Sequence, residues 1–322
     1  MYKSILAPTD ASHFEGPAID AAATLAQRFN AALHLVQVLA PPLVANTLPH
    51  VPALEIAEQD LADERRERLQ KLEARGTELR AGSRIRLTTA LKEGNVMHTL
   101  RDYAAEVNAD LIVMSSHSRG GLSRINLGSV TDFLIRNTHI PVLVVKPDVS
   151  LIDGATENAG HQIIVPLDGS AMAEQILPEV VAFASALNST VTLLRVLTPQ
   201  TYAQRQIVQP GFPWWDDDIA SAEAYMSAHA DYLIGRGVRA ATHVTLNDDV
   251  PTAILDYAVR ARANLIAIAT NGIGGIRRFV FGTVADEVTR RSQISLLVFH
   301  PNLQASTATL DPASAAGVAT RS

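Results

Sequence analysis

A chain of 322 residues, 47% hydrophobic and only 19% charged, is long enough for two domains and too apolar to remain disordered. Lys and Arg total 27 against 33 Asp and Glu, and a net charge of −6 gives no broad electrostatic reason to bind nucleic acid. The lack of cysteine excludes disulfides, thiolate metal sites and thiol nucleophiles, and fits a reducing interior.

The first residues, Met1-Tyr2-Lys3-Ser4-Ile5-Leu6, lead straight into a strand-like run with no long apolar segment and cleavage site before it. No apolar stretch approaches the roughly 20 residues of a membrane span. The expectation is a soluble, cytoplasmic protein with no membrane partner. Ile5-Leu6-Ala7 reads as a short buried strand, followed by an Ala-rich helical pattern near 15–29 and a second strand, Leu33 to Val38. A proline-rich loop occupies 40–53. A charged helix follows over about 54–80, with Leu61, Leu69, Leu72 and Leu79 on one face and Glu64, Arg65, Arg66 and Glu67 turned to water. Arg84 to Thr88, Leu111 to Met114 and Val142 to Val145 complete five strands, with helices near 95–107 and 129–138 between them. Strands alternating with helices predict βαβ crossovers and a parallel sheet covered on both faces, an α/β fold.

The second half repeats this order. Gln162-Ile163-Ile164-Val165-Pro166-Leu167-Asp168 answers Ser4-Ile5-Leu6-Ala7-Pro8-Thr9-Asp10, and residues 250–301 align without a gap on 96–147 at an offset of 154, with 18 of 52 pairs identical. The chain is therefore read as a tandem duplication: a first domain over 1–147, a linker over 148–160, a second domain over 161–302 and a mobile tail over 303–322. The second proline-containing loop, 199–215, ends in Pro213-Trp214-Trp215, expected to serve loop packing or an interface.

After the fourth strand the first half reads Ser115-Ser116-His117-Ser118-Arg119-Gly120-Gly121 and then Gly128-Ser129; the second reads Ala269-Thr270-Asn271-Gly272-Ile273-Gly274-Gly275 and then Gly282-Thr283. A loop leaving the C-terminal edge of a parallel strand can aim its N–H groups at an anion. A Gly-Ser or Gly-Thr opening the next helix adds unpaired N–H groups and a favourable dipole. A carboxylate at the end of the first strand stands across the switch point, where it can accept from a ribose hydroxyl or the adenine amino group.

In these residues the chain resembles the universal stress protein family in its tandem form, within the wider adenine-nucleotide α-hydrolase-like superfamily. The family's nucleotide-binding members carry Gly-x2-Gly-x9-Gly-[Ser/Thr] here. The resemblance implies, in each half, a doubly wound five-stranded parallel sheet of order 3-2-1-4-5 with helices on both faces. It also implies ATP, with or without Mg, as ligand: Pro8, Thr9, Asp10, Val38 and Met114 around adenosine, and Ser115, His117, Ser118, Gly128, Ser129, Val130 and Thr131 around the phosphates. Pro166, Leu167, Asp168, Val196, Ile268, Ala269, Asn271, Gly272, Gly282, Thr283 and Val284 hold the matching places. It further implies that the edge strand of one half pairs with that of the other in an internal pseudo-dimer, with a homodimer left open.

The departures are specific. Ser115 and Ser118 replace the first two glycines in the first half, and Ala269 replaces the first in the second, which keeps Gly272. A side chain held in a left-handed conformation there costs about 1 kcal/mol, and a Cβ facing phosphate adds obstruction. Asp10 and Asp168 serve equally well as helix caps; Gly128-Ser129 and Gly282-Thr283 could be plain helix starts, but their fixed distance from the strand end in both halves favours the functional reading, while His117, Arg119, Arg124, Arg277 and Arg278 read most simply as solvated side chains. No histidine has metal-binding spacing, no Gly-x-Gly-x2-Gly calls for NAD, and no flavin is expected.

Two functions follow from this reading. One is a nucleotide-responsive stress protein with no catalytic residue and at most slow hydrolysis, since neither loop contains a lysine or a Gly-x4-Gly-Lys-[Ser/Thr] run. The other is an interaction module whose nucleotide sites have decayed. An α-hydrolase enzyme would need motifs such as Ser-Gly-Gly-x-Asp-Ser or His-Ile-Gly-His, and the sequence has neither.

Overall fold

The computed structural model describes residues 2–10, 16–40, 53–116, 127–146, 160–198, 214–270 and 282–301, without the side chains of 53–59 and 214–217. The first half runs β1 (Ser4–Thr9), α1 (Gly16–Phe29), β2 (Ala32–Leu39), α2 (Ala53–Gly82), β3 (Arg86–Glu93), α3 (Val96–Glu106), β4 (Leu111–Ser115), α4 (Ser129–Asn137) and β5 (Val142–Val145). The second runs β6 (Gln162–Pro166), α5 (Ala171–Glu174), α6 (Leu177–Leu187), β7 (Thr190–Leu197), α7 (Trp214–Ile234), β8 (Arg239–Leu246), α8 (Val250–Arg260), β9 (Leu265–Ala269), α9 (Thr283–Arg291) and β10 (Ser295–Phe299).

The strands form a single ten-stranded sheet of order β3-β2-β1-β4-β5-β10-β9-β6-β7-β8. Every pairing within a half is parallel; β5 and β10 meet antiparallel and join the halves. The strand edges that needed covering thus cover each other. Ile5, Leu6, Leu111, Ile112, Leu143, Ile163, Leu265 and Leu297 are all but inaccessible, because helices pack both faces of the sheet. One face carries α1, α2, α6 and α7 and the other α3, α4, α8 and α9, each with its own apolar core.

Both faces also pack across the join. On one, Tyr2, Phe29 and Phe183 meet edge to face with centroids 5.0 to 6.0 Å apart, and the Tyr2 hydroxyl donates to Glu179 of α6. On the other, Arg136 of α4 binds Asp286 of α9.

Repeated sequence makes repeated ends. Asn95 caps α3 by accepting from the His98 N–H at 3.2 Å, and Asp249, 154 residues later, caps α8 by accepting from the Thr252 N–H at 3.1 Å. The turns after α1 and α6 use Asn30 and Asn188, left-handed at φ 53° and 51°.

Some expectations needed correction. The third strand lies at Arg86–Glu93 rather than 84–88, because β2 pairs with it residue for residue from Ala32 to Leu39 and carries it past the apolar run. Trp214 opens α7 instead of closing a loop. The second half divides its first helix in two, with Pro178 at the start of α6, where its missing N–H is not needed. Leu72 is buried as the charged helix requires, but Leu61 and Leu69 are 39% and 37% exposed, so the apolar stripe engages the sheet only toward the C-terminal end of α2. Most of the 40–53 and 199–215 loops, the 148–160 linker and the tail lie outside the described residues. Among the described residues, no helix is long and apolar enough to cross a membrane.

Candidate functional site

Parallel strands all end on the same rim, and there the second half opens a cleft. Its empty volume, counted out to the open mouth, is about 660 Å³. Nine residues singled out from the sequence line it: Pro166, Leu167, Asp168, Val196, Ile268, Ala269, Gly282, Thr283 and Val284. Five further residues share the lining: Ala173, Leu194, Val250, Ile254 and Ala285. These carried signals of their own. Leu194 and Val196 alternate on one face of β7, and Val250 and Ile254 fall one helical turn apart on α8.

The cleft combines an apolar floor with two polar ends. At one end α9 begins at Thr283, with Gly282 as N-cap at φ −62°; glycine has no side chain to cap the first N–H groups, and among the described residues the first helical bond is Asp286 N–H to Gly282 O, 2.9 Å. The positive end of the helix dipole thus borders the cleft, a position that favours an anion. At the other end, Asp168 Oδ1 accepts from the Ser170 N–H at 2.9 Å and from its hydroxyl at 2.6 Å. The capping role falls to Ser170, whose Oγ accepts from the Ala173 N–H at 3.1 Å to start α5. Asp168 itself is exposed at the cleft.

Two glycine arguments change with the geometry. Gly128 and Gly282 sit at φ −63° and −62°, which any residue adopts, so glycine serves open approach to the helix end rather than unusual backbone. Ser115 and Ala269 are the last residues of β4 and β9, in extended conformation, so replacing glycine there carries no left-handed penalty.

The first half builds the equivalent rim at the opposite edge of the sheet, since its strands run antiparallel to those of the second. Pro8 and Thr9 end β1 and Asp10 follows; Val38 lies in β2, Met114 and Ser115 close β4, and Ser129, Val130 and Thr131 form the first turn of α4 behind Gly128. Here the helix end is tied to the strand end: the Gly128 N–H donates to Ser116 O at 3.1 Å, and the buried Thr131 hydroxyl reaches Ser115 O at 3.4 Å. Ala285, at the place of Thr131, has no hydroxyl to do this. His117, Ser118, Asn271 and Gly272, with Arg119, Arg124, Arg277 and Arg278, lie outside the described residues.

One polar cluster had not been anticipated. Arg195, the one charged residue of β7, donates from Nη1 to the Leu167 carbonyl at 3.2 Å. Burial pulls its pKa down, against the pull of Asp168 and Tyr225 in the other direction. The Tyr225 hydroxyl donates to Glu174 at 3.0 Å, and its pKa is pushed up by burial and then by that carboxylate. His229 Nε2 lies 3.3 Å from the same Glu174 oxygen. A charge inside a buried strand was the available signal; its partners on α5 and α7 come from distant sequence. Among the described residues no group of His, Asp and Glu is arranged to hold a metal.

Comparison with known proteins agrees with this architecture. The chain matches the universal stress protein family over residues 1–146 and again over 160–300. A universal stress protein of Methanocaldococcus jannaschii is 35% identical over 147 residues, 45% of this chain and 83% of that one. One from Mycolicibacterium smegmatis is 24% identical over 299 residues, covering 92% and 97%. The crystal structure of a universal stress protein from Archaeoglobus fulgidus superposes with a TM-score of 0.63 at 16% identity, covering 93% of this chain and 98% of that one, a likeness of fold.

Proposed function

Because this chain belongs to the universal stress protein family, with two of its domains in tandem, we propose that it is a nucleotide-responsive stress protein whose second half binds ATP or a related adenine nucleotide. The observation that carries this reading is the convergence of nine sequence-selected residues on one cleft between a carboxylate and a helix N-terminus whose N-cap is glycine. The apolar floor formed by Val196, Ile268 and Leu194 suits a purine, Asp168 supplies an acceptor for its amino group or the ribose hydroxyls, and the N–H groups at the start of α9 suit phosphate. Any Mg²⁺ would arrive on the phosphates, with Thr283 the nearest hydroxyl at the helix start. With no lysine in either loop sequence and no base marked by the motif to activate water, occupancy rather than turnover is the output, and it would alter what the surface around the cleft binds.

The first half departs further, with Ser115 at the end of β4, Ser118 in the loop sequence and the Thr131 tie at its helix end, and this favours the decayed-site reading for that half. Equilibrium dialysis with ATP, with and without Mg²⁺, tests the proposal. Saturable uptake by the wild type, lost in Gly282→Asp, is the expected result. Asp is at least as good an N-cap as Gly, so the variant keeps its stability while its carboxylate repels phosphate. No uptake at millimolar ATP overturns the reading.

A further inference from the structure

Arg195 stands on β7 where the first half carries Gln37 on β2. The register is shared: Thr9 pairs with Gln37, and Pro166 with Leu194, which sets Leu167 beside Arg195. From there the guanidinium holds the Leu167 carbonyl at 3.2 Å. The chain then turns through Asp168 to Gly169, left-handed at φ 85°, where a Cβ would stand 3.6 Å from the guanidinium nitrogens. Ser170 grips the Asp168 carboxylate on Oδ1. The corner that presents Asp168 to the cleft is thus fastened on one side by a cation and on the other by a hydroxyl. Gln37, by contrast, is 2% exposed, carries no charge, and its buried Nε2 has no hydrogen-bond partner among the described residues.

We infer that Arg195 is a positioning residue: it holds the Leu167–Gly169 corner so that the Asp168 carboxylate meets one donor on the nucleoside, and this makes the second half the selective site of the two. The inference rests on the adenine-nucleotide reading of the cleft. A carboxylate fixed in orientation rewards a correctly placed N–H or O–H and is left unpaired by an analogue without it, so the effect of Arg195 is on discrimination more than on affinity alone. A lysine cannot replace it fully, because an ammonium lacks the planar fork that reaches a carbonyl while facing a carboxylate.

The experiment compares ATP with 2′-deoxy-ATP, which lacks a hydroxyl donor, and with inosine triphosphate, which lacks the amino donor, by calorimetry on the full chain. Wild type is expected to prefer ATP over one of the two by about tenfold, the equivalent of one good hydrogen bond. Arg195→Gln is expected to bring that ratio close to one, with ATP weakened and the analogue lacking the donor little changed; Arg195→Lys falls between, and tests the same point should the neutral variant not fold. In an Asp168→Asn background, Arg195→Gln is expected to leave the ratio unmoved, since the two act as a unit. Equal weakening of all three nucleotides, an unchanged ratio in Arg195→Gln, or a wild type that binds all three alike overturns the inference while leaving nucleotide binding intact. A wild type that binds none of them overturns the nucleotide reading itself.

Discussion

Leu143 pairs across the antiparallel junction with Leu297, the residue 154 positions later that fills its own place in the second half. Val142 faces Val298 and Val144 faces Leu296, so the axis relating the halves passes between the two leucines. Both are fully buried. Leu297→Ala is expected to destabilise the protein by about 2–5 kcal/mol through lost burial and the cavity left behind. Urea denaturation measures it, and Leu297→Asp is expected to split unfolding into two separate transitions.

The same axis organises charge. Asp132, Arg136, Asp286 and Arg290 form a closed set in which Arg136 bonds to Asp132 at 2.9 Å and to Asp286 at 2.5 Å, while Arg290 bonds to Asp286 at 2.9 Å and stands 3.7 Å from Asp132. Burial pushes the Asp286 pKa up, but Arg290 and Arg136 outweigh it and the net shift is downward. This contribution to stability is therefore present above the ordinary carboxylate range and fades as pH falls through the lowered value. Asp286→Asn is expected to cost about 1 kcal/mol at low salt and less at 1 M salt, read from denaturation midpoints.

His300 gives the protein a second acid sensitivity. It is 4% exposed, its Nδ1 lies 2.5 Å from the Thr270 hydroxyl, and burial, followed by the charge of His139, pulls its pKa down to about 4. In the unfolded chain histidine takes a proton near pH 6.5, so between there and pH 4 the unfolded state binds the extra proton and stability falls as pH drops. At pH 5 the loss from this group is about 2 kcal/mol. His300→Gln is expected to remove that part of the slope in denaturation series taken from pH 7 to pH 4.5.

Lys146 occupies the place of His300 in the first half. It is 3% exposed, its Nζ has no hydrogen-bond partner among the described residues, and burial lowers its pKa. As pH rises toward the ordinary lysine range, the folded state sheds this proton before the unfolded state does, so stability climbs. Lys146→Met is expected to stabilise the protein by about 1–3 kcal/mol at pH 7 and to flatten that climb, measured by denaturation at pH 7 and pH 10.

The α/β architecture was legible because buried parallel strands write themselves as short apolar runs, and because duplication printed each signal twice. The cleft was legible for a related reason: Pro166 to Asp168, Ile268 to Ala269 and Gly282 to Val284 all lie where strands end or a helix begins, positions that local sequence marks. Arg195 was passed over since its meaning depends on Leu167 across the sheet and on Tyr225 from α7, contacts that no local pattern encodes. The end of β3 was misplaced for the same reason, as pairing with β2 and not composition determines how far it runs. Leu61 and Leu69 kept helical spacing yet stay 39% and 37% exposed, so periodicity gives a face but not how fully it is covered.

The β5–β10 join has a consequence for how the halves can differ. Two separate copies meeting this way would come apart on dilution, and any substitution at their contact would enter twice. Within one chain the effective concentration of one half for the other is of millimolar order however scarce the protein is, and a change enters once. Lys146 opposite His300, and Gln37 opposite Arg195, are what that freedom permits: a pair that cannot dissociate can assign its members unequal work.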